Sequence, residues 1–324
     1  PTLEALKIDR ELAKTNPAFL PDLAGALNNL GVSYRDLGRW AEAQPPLEEA
    51  LNLYTQLVAS YPATFQDNLQ RTRNNLVDLK RQRDLASGTK RAIAPDDRSY
   101  LNASDPNTPL QRSVVRLWPS FAGTSIGPLL GTGFVVRREG DRAWIATARH
   151  VVLDPNTNAP PTKLEAELYS GVLPANLLPA RLSVVLPTAA QSDSSTGDDL
   201  ILLEVKGLPA DMGPFPLASD PPQGSLKVVG HPTASTPWAV LAVKLVADLF
   251  DPAAKLFRLS GPPTLNEGAS GSPVVDSRGQ VVGLVRTRTQ LDETSYVVSA
   301  YRTGAIREKM AQTVPASHGS RSTP

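Results

Sequence analysis

The hydrophobic period changes once along this chain, and a segment written in one period cannot pack in the other. Up to about residue 85, apolar side chains recur at helical spacing in a sequence rich in Leu, Ala, Asn and Glu. From Val114 onward, short β-branched runs are divided by Gly, Pro and Asp. Strands are expected at 114–117, 133–137, 143–148, 166–169, 181–186, 200–205, 227–229, 240–245, 256–259, 272–275, 281–286 and 295–298. A dozen strands with almost no helix between them imply a barrel or sandwich. Residues 86–110 mix Ser, Gly, Pro, Asn and Asp, which is loop composition and predicts a linker. A last helix is expected from Thr303 to Gln312, and the polar tail 313–324 is expected to be loose.

The helical part repeats itself. Ala5-Leu6, Leu12, Pro17-Ala18 and Asp22 recur 45 residues later as Ala50-Leu51, Leu57, Pro62-Ala63 and Asp67. Asn28-Asn29-Leu30 returns as Asn74-Asn75-Leu76 with a one-residue slip. Between them, Leu27, Leu30, Gly31, Tyr34, Gly38, Trp40, Ala43, Leu47 and Ala50 follow the spacing of a helix pair. Gly31 and Ala43 are small where two antiparallel helices would touch, while Leu30, Tyr34 and Leu47 would fill the groove between them. At these positions residues 1–85 resemble tetratricopeptide repeats. The longer period implies longer helices. Pro45-Pro46 predicts that the second helix of the central unit starts late or bends, because an interior proline costs about 3 kcal/mol. So few repeats are expected to lean on upstream repeats or on the domain that follows. The first residues already read as the middle of a helix, so further sequence is expected before Pro1.

Composition narrows the chemistry. The 324 residues contain no Cys, which excludes a disulfide scaffold, a thiolate metal site and a cysteine nucleophile. That usage fits a reducing compartment, and a cytoplasmic location is the expectation. A formal net charge of +1 gives no electrostatic case for nucleic acid or an anionic membrane, and no apolar run is long enough to span a bilayer. No metal and no cofactor are expected.

Hydrolysis of an amide by serine needs a base for the hydroxyl proton, an anion to hold that base in one tautomer, and N–H donors for the oxyanion. Candidates for each occur in the order His, Asp, Ser. Ser270 lies in Gly268-Ala269-Ser270-Gly271-Ser272-Pro273, where flanking glycines allow a sharp turn that projects the hydroxyl. The same hexapeptide also fits a plain turn between strands. Of three histidines, His318 lies in the tail and His231 at a strand-ending turn in Gly230-His231-Pro232. His150 follows the strand Ala143 to Ala148, with small residues before it. Asp199 precedes the apolar run Leu200 to Val205; its neighbour Asp198 is the rival, and both also fit solvated turn positions.

Five blocks together resemble the bacterial trypsin-like serine peptidases, near the Deg/HtrA-type and glutamyl-endopeptidase-like branches. They are Gly131 to Val136, Ile145 to Val152, Asp199 to Leu203, Val229 to Pro232, and Gly268 to Pro273 with Gly283. The resemblance implies helical repeats followed by an all-β double barrel of the chymotrypsin/trypsin fold over residues 111–312, with the active site between the barrels. It also implies His150 as general base, Asp199 as its orienting anion, Ser270 as nucleophile, and the Gly268 and Ser270 amides as oxyanion hole. Three departures stand out. Ala269 replaces an acidic residue, so activation by pairing with a freed N-terminus is not expected. Ser272 replaces a second glycine. Arg286 and Arg288 stand on the strand that walls the substrate pocket in relatives; with Thr264 they are the pocket candidates, although strand alternation would equally turn the arginines to solvent.

The expected function is a serine endopeptidase working through an acyl-enzyme, with protein or peptide substrates and with repeats that dock a substrate or a regulator. The alternatives are a catalytically silent scaffold and a latent enzyme that a partner activates.

Overall fold

The computed structural model describes residues 2–121, 130–154, 157–168, 173–187, 199–219, 222, 224–231, 239–246, 255–262, 264–265, 268–290 and 296–313. Four helices come first: α1 (Thr2–Thr15), α2 (Leu20–Asp36), α3 (Trp40–Ser60) and α4 (Pro62–Ala86). Leu27, Ala43, Leu47 and Ala50 are fully buried between them. The small residues do what their spacing demands. A Cβ on Gly31 would lie 2.4 Å from Leu47 Cγ and 3.1 Å from the Ala43 carbonyl, so α2 and α3 touch through a hydrogen atom. Gly31→Ala is therefore expected to lower stability by about 1–3 kcal/mol. Gly25→Ala puts its methyl 3.6 Å from the Tyr54 hydroxyl and is expected to be neutral or mildly stabilising. Denaturant midpoints of the two variants check the contrast.

The prolines of α3 do not delay it. The helix begins at Trp40 and runs through Pro45 and Pro46. The missing amides would have served the carbonyls of Ala41 and Glu42, and both residues are exposed, so water replaces the lost bonds. Arg39 reinforces the start by pairing with Glu42 and lying 4.4 Å over the Tyr34 ring.

The segment after α4 has loop composition but is pinned. Its two-residue strand β1 (Arg91–Ala92) pairs in parallel with β6 (Leu177–Leu178), and Ile93 enters the core beyond. A single turn of helix, α5 (Thr108–Arg112), then leads into the sheets, with Arg112 buried on Asp211 at 2.9 Å. Ile93, Tyr100 and Leu110 thus pack a segment that composition marks as a linker against the barrel core.

Two closed six-stranded barrels follow. In the first, β2 (Val114–Ser120), β3 (Gly131–Glu139), β4 (Arg142–Ala148), β8 (Leu200–Lys206), β7 (Ala180–Val185) and β5 (Lys163–Leu168) close around Phe134, Ile145, Leu202 and Leu203. In the second, β9 (Leu226–Gly230), β10 (Ala239–Leu245), β11 (Leu256–Ser260), β14 (Tyr296–Arg302), β13 (Val281–Gln290) and β12 (Pro273–Val275) enclose Phe257, Leu259 and Val274. A helix at Thr303–Thr313 buries Ile306 against the sheets. Among the described residues, no helix is long and apolar enough to cross a membrane.

The repeats lean on the first barrel through buried charge. Arg181 of β7 binds Asp78 of α4 at 2.8 Å and Glu167 of β5 at 2.9 Å, with its guanidinium 3.8 Å over the Trp118 ring. Arg116 of β2 also pairs with Glu167. On the helical side Asp78 meets Arg35, which reaches Asn75, and Asn75 reaches Asn28. Burial alone would push the Glu167 carboxyl upward, but the pull of Arg116 and Arg181 wins and brings it down to about 2.

Candidate active site

Antiparallel pairing of β4 with β8 sets Ala148 opposite Leu200. The residues just beyond that pair, His150 and Asp199, must then meet at one mouth of the first barrel. His150 sits on the single turn α6 (Arg149–Val152), clamped by buried Val151 and Val152. Gly131 leaves room for that clamp, because a Cβ there would fall 2.4 Å from Val151 Cγ1. The Arg149 amide donates to the Asp199 carbonyl at 2.8 Å, and the His150 amide donates to Asp199 Oδ1 at 2.9 Å. Imidazole Nδ1 lies 2.7 Å from Asp199 Oδ2. A carboxylate only accepts, so Nδ1 carries a proton, and in a neutral imidazole Nε2 then keeps the lone pair. The second barrel contributes as well: the Asp199 amide donates to the Tyr301 hydroxyl at 2.7 Å.

Ser270 arrives on a loop of the second barrel that is latched to the first. Gly268 and Gly271 have φ of +89° and +84°, a region that disfavours side chains. The Thr132 amide donates to the Ser270 carbonyl at 2.9 Å, and Thr132 Oγ1 donates to the Gly268 carbonyl at 2.7 Å. Thr147 Oγ1 in turn donates to the Thr132 carbonyl at 2.7 Å. A Cβ on Gly271 would fall 1.9 Å from the Thr132 oxygen and 2.4 Å from Thr147 Oγ1. Ser270 is thus one residue from a contact with Thr147, which lies three residues ahead of His150. The Ala269 carbonyl accepts from the Ser272 amide at 3.0 Å, inside the loop. Since a trans peptide opposes its C=O and N–H, the Ser270 amide points the other way, out of the loop.

Residues 131–284 match the family model for the trypsin-like peptidase domain, and residues 23–59 match a tetratricopeptide repeat model. The chain contains a trypsin-like peptidase domain. The domain match supports a serine-type peptidase with protein or peptide substrates, and the repeat match supports protein interaction. Solved structures similar to it include the Rv3671c protease from M. tuberculosis in its active form, 19% identical, with a TM-score of 0.45, covering 67% of this chain and 90% of that one. The serine endoprotease from Yersinia pestis is 15% identical with a TM-score of 0.46, covering 66% of this chain and 68% of that one. Among curated proteins none matches the sequence.

The other candidates of this peptidase domain have varied surroundings. His231 is 3% exposed, and its amide donates to Thr132 Oγ1 at 3.1 Å, so it helps hold the hub between the barrels. Ala269 is buried in the second core and offers no charge. Ser272 is accommodated by a missing side chain, since a Cβ on Gly230 would lie 2.0 Å from its Oγ. Thr264 is exposed. His318, Asp198 and the Arg288 side chain lie outside the described residues. Arg286 has a contact that strand alternation alone does not show. A register shift between Val285 and Thr287 makes it a bulged residue, and its Nε lies 3.7 Å from Asp199 Oδ2, with the guanidinium 6.0 Å from the Tyr301 ring centre. Thr132, Thr147 and Tyr301 were not singled out in the sequence. Thr132 and Thr147 lie within the blocks Gly131 to Val136 and Ile145 to Val152, whereas Tyr301 lies in none of the five.

Proposed function

We propose that this chain is an endopeptidase in which Ser270 is the nucleophile, His150 the general base and Asp199 the anion that fixes the imidazole. The pair of bonds from His150 to the Asp199 carboxylate carries this reading, because a neutral imidazole with Nδ1 on the carboxylate has an unprotonated Nε2 to act as base. His150 Nε2 takes the Ser270 proton as Oγ attacks the scissile carbonyl. The carbonyl oxygen becomes an oxyanion, received by the Ser270 and Gly268 amides. The imidazolium returns its proton to the departing amine, the C–N bond breaks and an acyl-enzyme remains. Water then attacks the ester with His150 again as base, releasing the acid and restoring Ser270.

The repeats are read as a docking arm for a protein partner. They meet the first barrel through the Asp78–Arg181 contact, so a docked partner would be held in fixed relation to the cleft. Labelling of the folded chain by a fluorophosphonate probe, compared with Ser270→Ala, tests the nucleophile. Covalent modification in the parent and none in the variant is the expected result. A parent left unlabelled, or a variant labelled equally, removes the proposal.

A further inference from the structure

The Asp199 carboxylate of the proposed triad has a second neighbour besides His150, and this one is a cation. Oδ2 of Asp199, which faces His150 Nδ1, also lies 3.7 Å from Arg286 Nε. The Asp199 side chain is 16% exposed and that of Arg286 34%, so solvent screens the pair only in part. The arrangement is built into the strand: the bulge between Val285 and Thr287 re-aims the side chain, and Tyr301 lies beneath the guanidinium. Arg286 is not needed to orient the carboxylate. Oδ1 is already held by the His150 amide and the Asp199 backbone by the Arg149 amide and the Tyr301 hydroxyl.

What remains is its charge. As Ser270 attacks, positive charge develops on the His150 ring, and Asp199 is the group that offsets it. A fixed guanidinium on the same oxygen draws on that carboxylate and repels the forming imidazolium. We infer that Arg286 is an electrostatic brake on this peptidase, acting through Asp199 and slowing the chemical step without touching substrate. The inference rests on the triad proposed above.

The test compares the full chain with Arg286→Gln, Arg286→Met and Arg286→Lys on one peptide substrate with uncharged residues around the scissile bond. The Met variant keeps a long side chain to pack over Tyr301 should Gln disturb the strand. Removing the charge is expected to raise kcat by about three- to tenfold with KM within about twofold, whereas the Lys variant stays within about twofold of the parent. Fluorophosphonate labelling of Ser270 should accelerate in parallel. A kcat that is unchanged or reduced in both neutral variants overturns the brake, as does a change confined to KM. Ser270→Ala in the same assay separates the two claims. Activity that survives it overturns the triad, while activity that needs Ser270 but ignores Arg286 overturns only the brake.

Discussion

Asp199→Asn is expected to lower kcat by about 10,000-fold while the protein stays folded. The carboxamide is nearly isosteric, and its oxygen can still accept the His150 amide that now reaches Oδ1 at 2.9 Å. Its NH2 then faces Nδ1, which must become an acceptor. The imidazole proton moves to Nε2, and the base loses the lone pair that Ser270 needs. Steady-state kinetics on a cleaved peptide, with an unfolding midpoint alongside, checks both halves. A variant within about tenfold of the parent would show that the His150–Asp199 contact is structural only.

The second large effect concerns stability rather than rate. Arg181→Met leaves Asp78 and Glu167 buried with fewer cations, and loss of one partner from a buried charge cluster costs about 3–5 kcal/mol. The acid side of this cluster has a definite sign. Glu167 sits lower in the folded chain, at about 2, than its ordinary 4.5, and Asp78 is likewise held below its usual range; burial pushes both up, and the neighbouring arginines overcome it. A depressed carboxyl contributes stability that is present above its unfolded value and is lost as pH falls from about 4.5 through about 2. Parent and Arg181→Met should therefore differ most at neutral pH and converge in acid. Denaturant midpoints at pH 7 and pH 3 measure this. Equal midpoints at pH 7 would mean the cluster contributes nothing net. Because Asp78 belongs to α4 and Arg181 to β7, the same variant should also loosen the repeats, read as faster proteolytic nicking near residues 87–90.

Much of this architecture could be read from local pattern. Strand runs between Val114 and Val298 appear where β-branched residues predicted them, and they close into two barrels. Gly31 and Ala43 are small because two helices touch there. Patterns of this kind report how a residue meets its own element, and that is why they were legible. Such patterns say less where the outcome depends on what lies opposite. Pro45 and Pro46 predicted a helix that starts late or bends, yet α3 begins at Trp40 and runs through both. Composition marks residues 86–110 as a linker, and which core Ile93 of that segment enters is set by what lies opposite it.

The chain order alone determined which side chains were candidates for His150, Asp199 and Ser270, since residue type and spacing suffice to nominate a base, an anion and a nucleophile. Tertiary structure decided how the nominees are held. Thr132 and Thr147 tie the serine loop to the first barrel, Tyr301 reaches across from the second to steady Asp199, and Arg286 turns at a bulge toward the same carboxylate. No local pattern encodes these contacts, because each joins residues whose proximity arises only when strands pair and barrels close.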